Sequence, residues 1–384
     1  MAFLHGVEVL ESDSGARPVQ EANASIIYIC GTAPDADVDL FPLETPVLIN
    51  GDLKLVAALD PGGKGAGSLY RALKGIYDQA KSIVIVSRVE EGADAAATAV
   101  AVAGDSILRT GVYSALNAQS VTGYEPKLIL TTGFSDVPAV SAASYSVAEQ
   151  LSAILIRDSE NGTIAEAEAG AALYAERAYS LHPWLQVSDG SGGIIDEPAS
   201  ARVAGLIVKM DTTEGFWNSP SNHTINGVLG LSQPVSWSLS DPVSDANMMN
   251  EKGLATFIKA SGIRLWGNRT NAADPKWMFL AHRRIADIVN ESIKQSHLWA
   301  VDKNISKGYL DAVVDGVNDY GRGLVAKGAL LGFKCWVDFD LTTDSALANG
   351  EVYFDYEFTP CPISEHITFT SIKSNYYLNV LQGE

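Results

Sequence analysis

The chain has 384 residues, 47% of them apolar and only 19% charged, which is material for more than one buried core and excludes a disordered polymer. Its 46 Asp and Glu outnumber 27 Lys and Arg to give a net charge of −19, which repels phosphate backbones and anionic lipid and argues against nucleic acid as a ligand. No run approaches the ~20 apolar residues needed to cross a bilayer, and the opening MAFLHGVEVL lacks the basic and apolar regions of a secretion signal. A soluble protein with no membrane insertion and no export address of its own is expected.

Residues 1–20 hold one short strand pattern, with Leu4, Val7 and Val9 as its apolar positions, followed by the polar SDSGARPVQ. They predict an extended N-terminal arm. From Ser25 the pattern alternates. SIIYICGT and PVLIN are buried-strand runs, SLYRALKGIYDQAKS an amphipathic helix and IVIVSRV a third strand. An Ala-rich helix near 92–104 and a helix near 106–117 precede the strand KLILTTGF, the helix SYSVAEQL and the strand AILIRDSE. A helix near 163–180 and the strand WLQVSD follow. Apolar strands separated by helices predict an α/β domain over residues 21–204, built on a mostly parallel sheet covered on both faces.

After SARVAGLIVKMDTTEG the character changes. FWNSPSNHTINGVLGL is rich in turn formers, ATFIKASGIRLWGNRT predicts a hairpin, and 277–303 and 306–328 predict two long helices. GFKCWVDFD, EVYFDYEFTP and HITFTSIKS alternate as antiparallel strands do. These elements make residues 205–371 an α+β domain. The last segment, 372–384, ends in the strand pattern YYLNVLQGE, with Tyr377, Leu378 and Val380 as apolar positions, and predicts a C-terminal arm.

Little in the chain speaks for catalysis. Cys30, Cys335 and Cys361 lie in strand-like contexts without ligand spacing, and predict buried, reduced thiols. The six histidines are scattered, GxSxG and HExxH are absent, and neither a metal site nor a cofactor is expected. DPGGKGAGS, residues 60–68, precedes a helix as a phosphate cradle would, but Lys64 is followed by Gly65 where a P-loop has Ser or Thr. A nucleotide- or flavin-binding α/β enzyme using that loop is the alternative reading.

The long helices are more informative. In the first, Arg283, Asp287, Glu291 and Lys294 stand at salt-bridging spacing opposite an apolar face, as on a solvated surface. The second begins at Ser306, a candidate N-cap, and stops at Gly328. Lys307, Asp311, Asp315, Asn318 and Arg322 share one of its faces. Its glycines at 308, 316, 321 and 323 cost about 1 kcal/mol each relative to Ala, and point either to close approach by another surface or to a poor helix broken near Gly321.

FWNSPSNHTINGVLGL, IRLWGNRT before a helix, and SHLWAVDKNISKGYLDAVVDGVN resemble, in order and spacing, the C-terminal region of contractile tail sheath proteins of temperate myophages and R-type pyocins. HGVEVLESDSGARPV and PLETPVLIN extend the resemblance to essentially the whole chain. It implies a structural subunit, not an enzyme, that forms a helical homopolymer of stacked hexameric rings around a tail tube protein. The α+β core would lie inside, near the tube, and the α/β domain outside. Baseplate and tail terminator proteins would be further partners, and the assembled virion tail, built in the host cytoplasm, the location. Lys307, Arg322 and Lys327 are the expected tube contacts, and the two arms, through Leu4, Val7, Val9, Tyr377, Leu378 and Val380, the expected links between subunits.

Overall fold

The structure, a computed structural model, describes residues 18–375 together with 377, 380 and 381. Leu4, Val7, Val9 and Leu378 lie outside the described residues. Thirteen strands are formed by the described residues: β1 Ile27–Thr32, β2 Val47–Asn50, β3 Ile83–Val89, β4 Leu128–Leu130, β5 Ile154–Asp158, β6 Ala178–Leu181, β7 Leu185–Ser188, β8 Ile194–Glu197, β9 Gly230–Leu231, β10 Leu254–Lys259, β11 Ile263–Trp266, β12 Leu330–Val337 and β13 Phe354–Pro360. The α-helices are α1 Leu53–Ala58, α2 Leu69–Tyr77, α3 Ala95–Ala103, α4 Ala118–Thr122, α5 Pro138–Gln150, α6 Ile164–Ala171, α7 Ser200–Thr213, α8 Asp245–Glu251, α9 Leu280–Ser296, α10 Lys307–Ala326 and α11 Asp344–Ala348.

An eight-stranded sheet runs in the order β11-β10-β6-β5-β4-β1-β3-β2. Its central pairings are parallel, as Ile27↔Val84 and Ile27↔Leu128 illustrate, while β2 and β11 are antiparallel additions at the two edges. The apolar runs of the sequence are buried from both sides. Ile27 and Ile29 point to one core with Leu69, Leu73, Ile76, Val203 and Ile207 from α2 and α7. Tyr28 and Cys30 point to the opposite core with Val102, Val112, Val140 and Val147. That two-residue alternation between two apolar layers is why these strands read as continuous hydrophobic runs. Three further strands, in the order β8-β7-β9, form a small separate sheet.

Several expectations are corrected. The helix expected over 163–180 stops at Ala171, and Ala178–Leu181 is the strand β6, because the sheet buries the run AYSL. The helix expected near 106–117 is a 3₁₀ helix over Gly111–Asn117. The division expected between residues 204 and 205 falls inside α7, which is buried over most of its length against α2 and the sheet. Beyond it, the β10–β11 hairpin joins the same sheet through the parallel pairing of Leu254 with Ser180, so Phe257 and Leu265 are buried in a core that a lone hairpin could not supply.

The remaining C-terminal part follows the reading closely. β12 and β13 form an antiparallel ladder from Leu330↔Pro360 to Val337↔Phe354, packed against α9 and α10. HITFTSIKS does not add a third strand: residues 366–374 are exposed and unassigned to any strand. Tyr377, Val380 and Leu381 are in 3₁₀ turns rather than strand.

Candidate functional site

α10 and the β12–β13 ladder form the candidate interface, and the sequence explains how they are held together. Ser306 Oγ accepts the Tyr309 N–H at 3.2 Å to start the helix, and Gly328, at φ +82°, takes the left-handed turn that ends it. Val313, Val317 and Leu324 bury its inner stripe. Gly321 is where close approach is required: a Cβ there would sit 2.1 Å from Phe333 of β12. Gly308 and Gly323 face open space and have no such reason.

Asn318 completes the joint. Its Nδ2 donates to the Cys335 carbonyl at 2.9 Å, and its Oδ1 accepts the Cys335 N–H at 2.8 Å. A helix side chain therefore occupies the edge of β12 that faces away from β13. The other edge of the ladder, along β13, has no strand beside it among the described residues. Phe354, Tyr356 and Phe358 are only half-buried there, and the Tyr356 ring stacks on Phe333 and Phe358. Between α9, α10 and the start of β13 lies a groove of about 860 Å³ lined by Ile293, Val301, Tyr309, Phe354 and Tyr356 together with Asp302 and Lys303. Two strands with one covered and one open edge are marginal alone, and the open edge is a template for another chain.

Of the expected tube contacts, Lys307 is exposed on the first turn of α10, where the helix dipole gives a cation no local support. Arg322 is exposed and paired with Asp319 in the same helix. Lys327 donates to Glu21 at 2.9 Å. Asp311, Asp315 and Asp319 are exposed on the same helix, so its outer surface carries both signs of charge. Tyr377 and Val380 are exposed.

The solvated face expected on α9 is overturned: Arg283, Asp287 and Glu291 are buried, and Lys294 alone of the four extends outward. Asp287 receives Arg177 in a fork at 2.9 and 3.0 Å and Arg283 at 2.8 Å. Glu291 pairs with Lys127 at 3.6 Å and with Lys294 at 2.7 Å. Burial alone would raise the Glu291 carboxyl, but Lys294, Lys127 and Gln295 outweigh it and hold it below the usual range. Arg284 pairs with Asp211 of α7 at 2.8 Å and donates to the Ala24 carbonyl at 3.2 Å. These pairs rivet α9 to the α/β body. The regular spacing of charges on α9 was the available signal, but spacing does not reveal what covers a helix.

The glycine-rich loop is already filled. The Asp60 carboxylate accepts the Lys64 and Gly65 N–H groups at 3.0 and 2.7 Å, the backbone donors a phosphate would need, and Lys64 pairs with Asp35 at 3.1 Å. Cys30 and Cys335 are buried as expected, Cys361 is only half-buried, and all three are free thiols. Among the described residues, no cluster of His, Cys, Asp and Glu is arranged for a metal, and no helix is long and apolar enough to cross a membrane.

An α/β body joined to a small two-stranded ladder packed on two long helices is the architecture that its family matches assign to a class of structural tail subunits. The phage tail sheath protein central domain matches residues 84–271, and the phage tail sheath C-terminal domain matches residues 272–372. The chain is 36% identical over 375 residues to a prophage major tail sheath protein of Pseudomonas aeruginosa (strain UCBPP-PA14), with 96% of each chain covered. It is 33% identical to the tail sheath protein of Escherichia phage P2, over 98% of this chain and 97% of that one. The fold matches the contracted helical sheath of the anti-feeding prophage with a TM-score of 0.74 at 19% identity, covering 97% of this chain and 100% of the other. It also matches the contracted sheath complex of the extracellular contractile injection system PVC, with a TM-score of 0.71 at 17% identity, covering 98% and 99%. The chain belongs to the phage tail sheath protein family, and it is a structural sheath subunit, not an enzyme.

Proposed function

We propose that the chain polymerises helically, as stacked hexameric rings, around a tail tube, and that contraction of this sheath drives the tube through a bacterial envelope. The observation that carries the assembly reading is the open edge of β13, with a groove of mixed apolar and charged lining at the start of that strand. Arms 1–20 and 372–384 of neighbouring copies would add strands to that edge, with Leu4, Val7, Val9, Tyr377, Leu378 and Val380 as the apolar positions. Strand addition satisfies the unpaired backbone and covers the half-buried rings. Donor and acceptor surfaces differ, so the contact is heterologous and propagates without closing along the axis.

The C-terminal core of α9, α10 and the β12–β13 ladder would face the tube and the α/β body the outside. Lys307, Arg322 and Lys327 would touch an acidic tube surface through pairs of ~0.2–1 kcal/mol each, weak enough to release together. The extended sheath would then be a kinetically trapped state that buries more surface once contracted. Baseplate and tail terminator proteins would bound the polymer, which would be built in the host cytoplasm and reside in the virion tail.

Negative-stain electron microscopy of the full chain and of chains lacking 1–20 or 372–384 tests the arms. Tubes from the full chain and folded monomers from both truncations are expected. Normal tubes from both truncated chains would refute the reading.

A further inference from the structure

One tie in the C-terminal core is not needed to build either sheet. After β13 the chain crosses back over the start of α9 toward the loop that follows β11. The Cys361 N–H donates to the Ala329 carbonyl at 3.1 Å, and His282 Nε2 lies 3.1 Å from the Cys361 carbonyl. Arg269 then grips Glu365 with both prongs of its guanidinium, Nε to Oε1 at 2.8 Å and Nη2 to Oε2 at 2.6 Å. This two-pronged geometry fixes direction as well as distance. The Arg269 end is rigidly mounted, because Arg269 bridges Phe279, the Thr270 N–H donates to the Met278 carbonyl at 2.7 Å, and the Leu280 N–H donates to the Asn268 carbonyl at 2.9 Å.

Immediately past Glu365 the character changes. From His366 to Lys373 no residue makes a backbone–backbone hydrogen bond with another described residue. Ile367, Phe369 and Ile372 are 67, 91 and 81% exposed. Ile367 and Phe369 alternate with Thr368 and Thr370, the two-residue period of a strand that lacks a partner.

We propose that the Arg269–Glu365 pair is a clasp that sets where the C-terminal arm leaves its own subunit, so that the segment offered to a neighbouring copy begins at His366. This rests on the arm-exchange reading above. With the clasp shut, residues 361–365 are held on the donor's own subunit at both ends, by Cys361 and Glu365, and the arm departs in one direction. With it open, the root retreats four residues to Cys361, adding up to about 14 Å of reach at ~3.4 Å per residue and removing the direction. A longer, undirected tether lowers the effective concentration of the arm at its acceptor. Both partners are partly solvent-exposed, so added salt loosens the clasp.

The test uses the full chain carrying Arg269→Glu, Glu365→Arg, or both. Each single reversal should shift thermal unfolding by no more than about 2 °C, since an exposed pair contributes little to the monomer. Hydrogen exchange in peptides spanning 361–365 should rise severalfold, and so should the protein concentration at half-polymerisation. The double reversal should bring both back toward the parent. Unchanged exchange at 361–365 in the single variants, or a double variant no closer to the parent than the singles, overturns the clasp. A chain stopped after Glu365 separates the two ideas. If it polymerises like the full chain, the arm reading falls and the clasp with it. If it does not, while the single reversals polymerise like the parent, the clasp alone falls.

Discussion

The α/β body and the β12–β13 ladder both bury apolar strand residues against helices, yet they differ in how far they are enclosed. In the body, β1, β4 and β5 have partner strands on both edges and are buried on both faces, so a single chain satisfies the middle of the sheet. In the ladder, Asn318 covers the β12 edge, the β13 edge is open, and Phe354, Tyr356 and Phe358 are half-buried. The backbone and rings left unfinished in the ladder are what the proposed arm exchange would cover. α9 is what allows the two to coexist, because its buried ion pairs tie the ladder to the body.

That contrast can be broken most severely at the tie. Asp287→Ala strands Arg177 and Arg283, both largely buried, and should lower stability by about 3–5 kcal/mol in urea unfolding. Within the body, Ile85→Ala empties a fully buried site between β1 and β2 and should cost about 2–5 kcal/mol. The same truncation at Phe354, half-buried beside the open groove, should cost the monomer roughly 1 kcal/mol yet depress polymerisation more than Ile85→Ala does. If the two truncations destabilise the monomer equally, the ladder is not open in solution.

A pH-dependent prediction sharpens the contrast from the side of the body. Asp158, fully buried at the end of β5, accepts the Ser200 N–H at the start of α7 at 2.8 Å and the Ser135 hydroxyl at 3.2 Å. Burial outweighs these bonds and pushes its carboxyl up from 3.8 to about 6. A folded-state value above the unfolded one means that the native protein holds the proton more tightly. The contribution is present in full below about pH 3.8 and is lost as pH rises through about 6, a swing of about 3 kcal/mol. Asp158→Asn should remove that slope, so the stability of parent minus variant falls between pH 4 and 6.5 in urea titrations. A constant difference would mean that Asp158 does not titrate in this range.

How much of this was legible in the sequence depended on what sets each feature. The parallel sheet was readable because strands buried on both faces leave uninterrupted apolar runs such as IIYIC and IVIVSRV. The α10 boundaries were readable because Ser306 and Gly328 act locally. Gly321 was flagged by its cost and explained only by the Phe333 ring against it. The charges of α9 were misjudged because Lys127, Arg177 and Asp211 arrive from elements more than 70 residues away in the chain, which no local pattern encodes. The boundary expected at residue 205 failed to anticipate β10 and β11 for a similar reason: a hairpin's sequence does not say which sheet it will join. The open edge of β13 was not visible at all, since an absent neighbour leaves no mark on the strand that lacks it.

The smallest effect is expected at the basic residues of α10. Lys327 pairs with Glu21 at 2.9 Å, but its side chain is 52% exposed and that of Glu21 35% exposed. Water and salt screen such a pair, so Lys327→Ala should change monomer stability by no more than ~1 kcal/mol, and by less as ionic strength rises. Arg322, tied to Asp319 one helical turn away, should behave similarly. Residues that matter so little to their own fold are suited to contacts that must form and release, whereas Asp287 is not. A loss of 3 kcal/mol or more for Lys327→Ala would place that lysine among the structural rivets with Asp287 and remove it from the proposed tube surface.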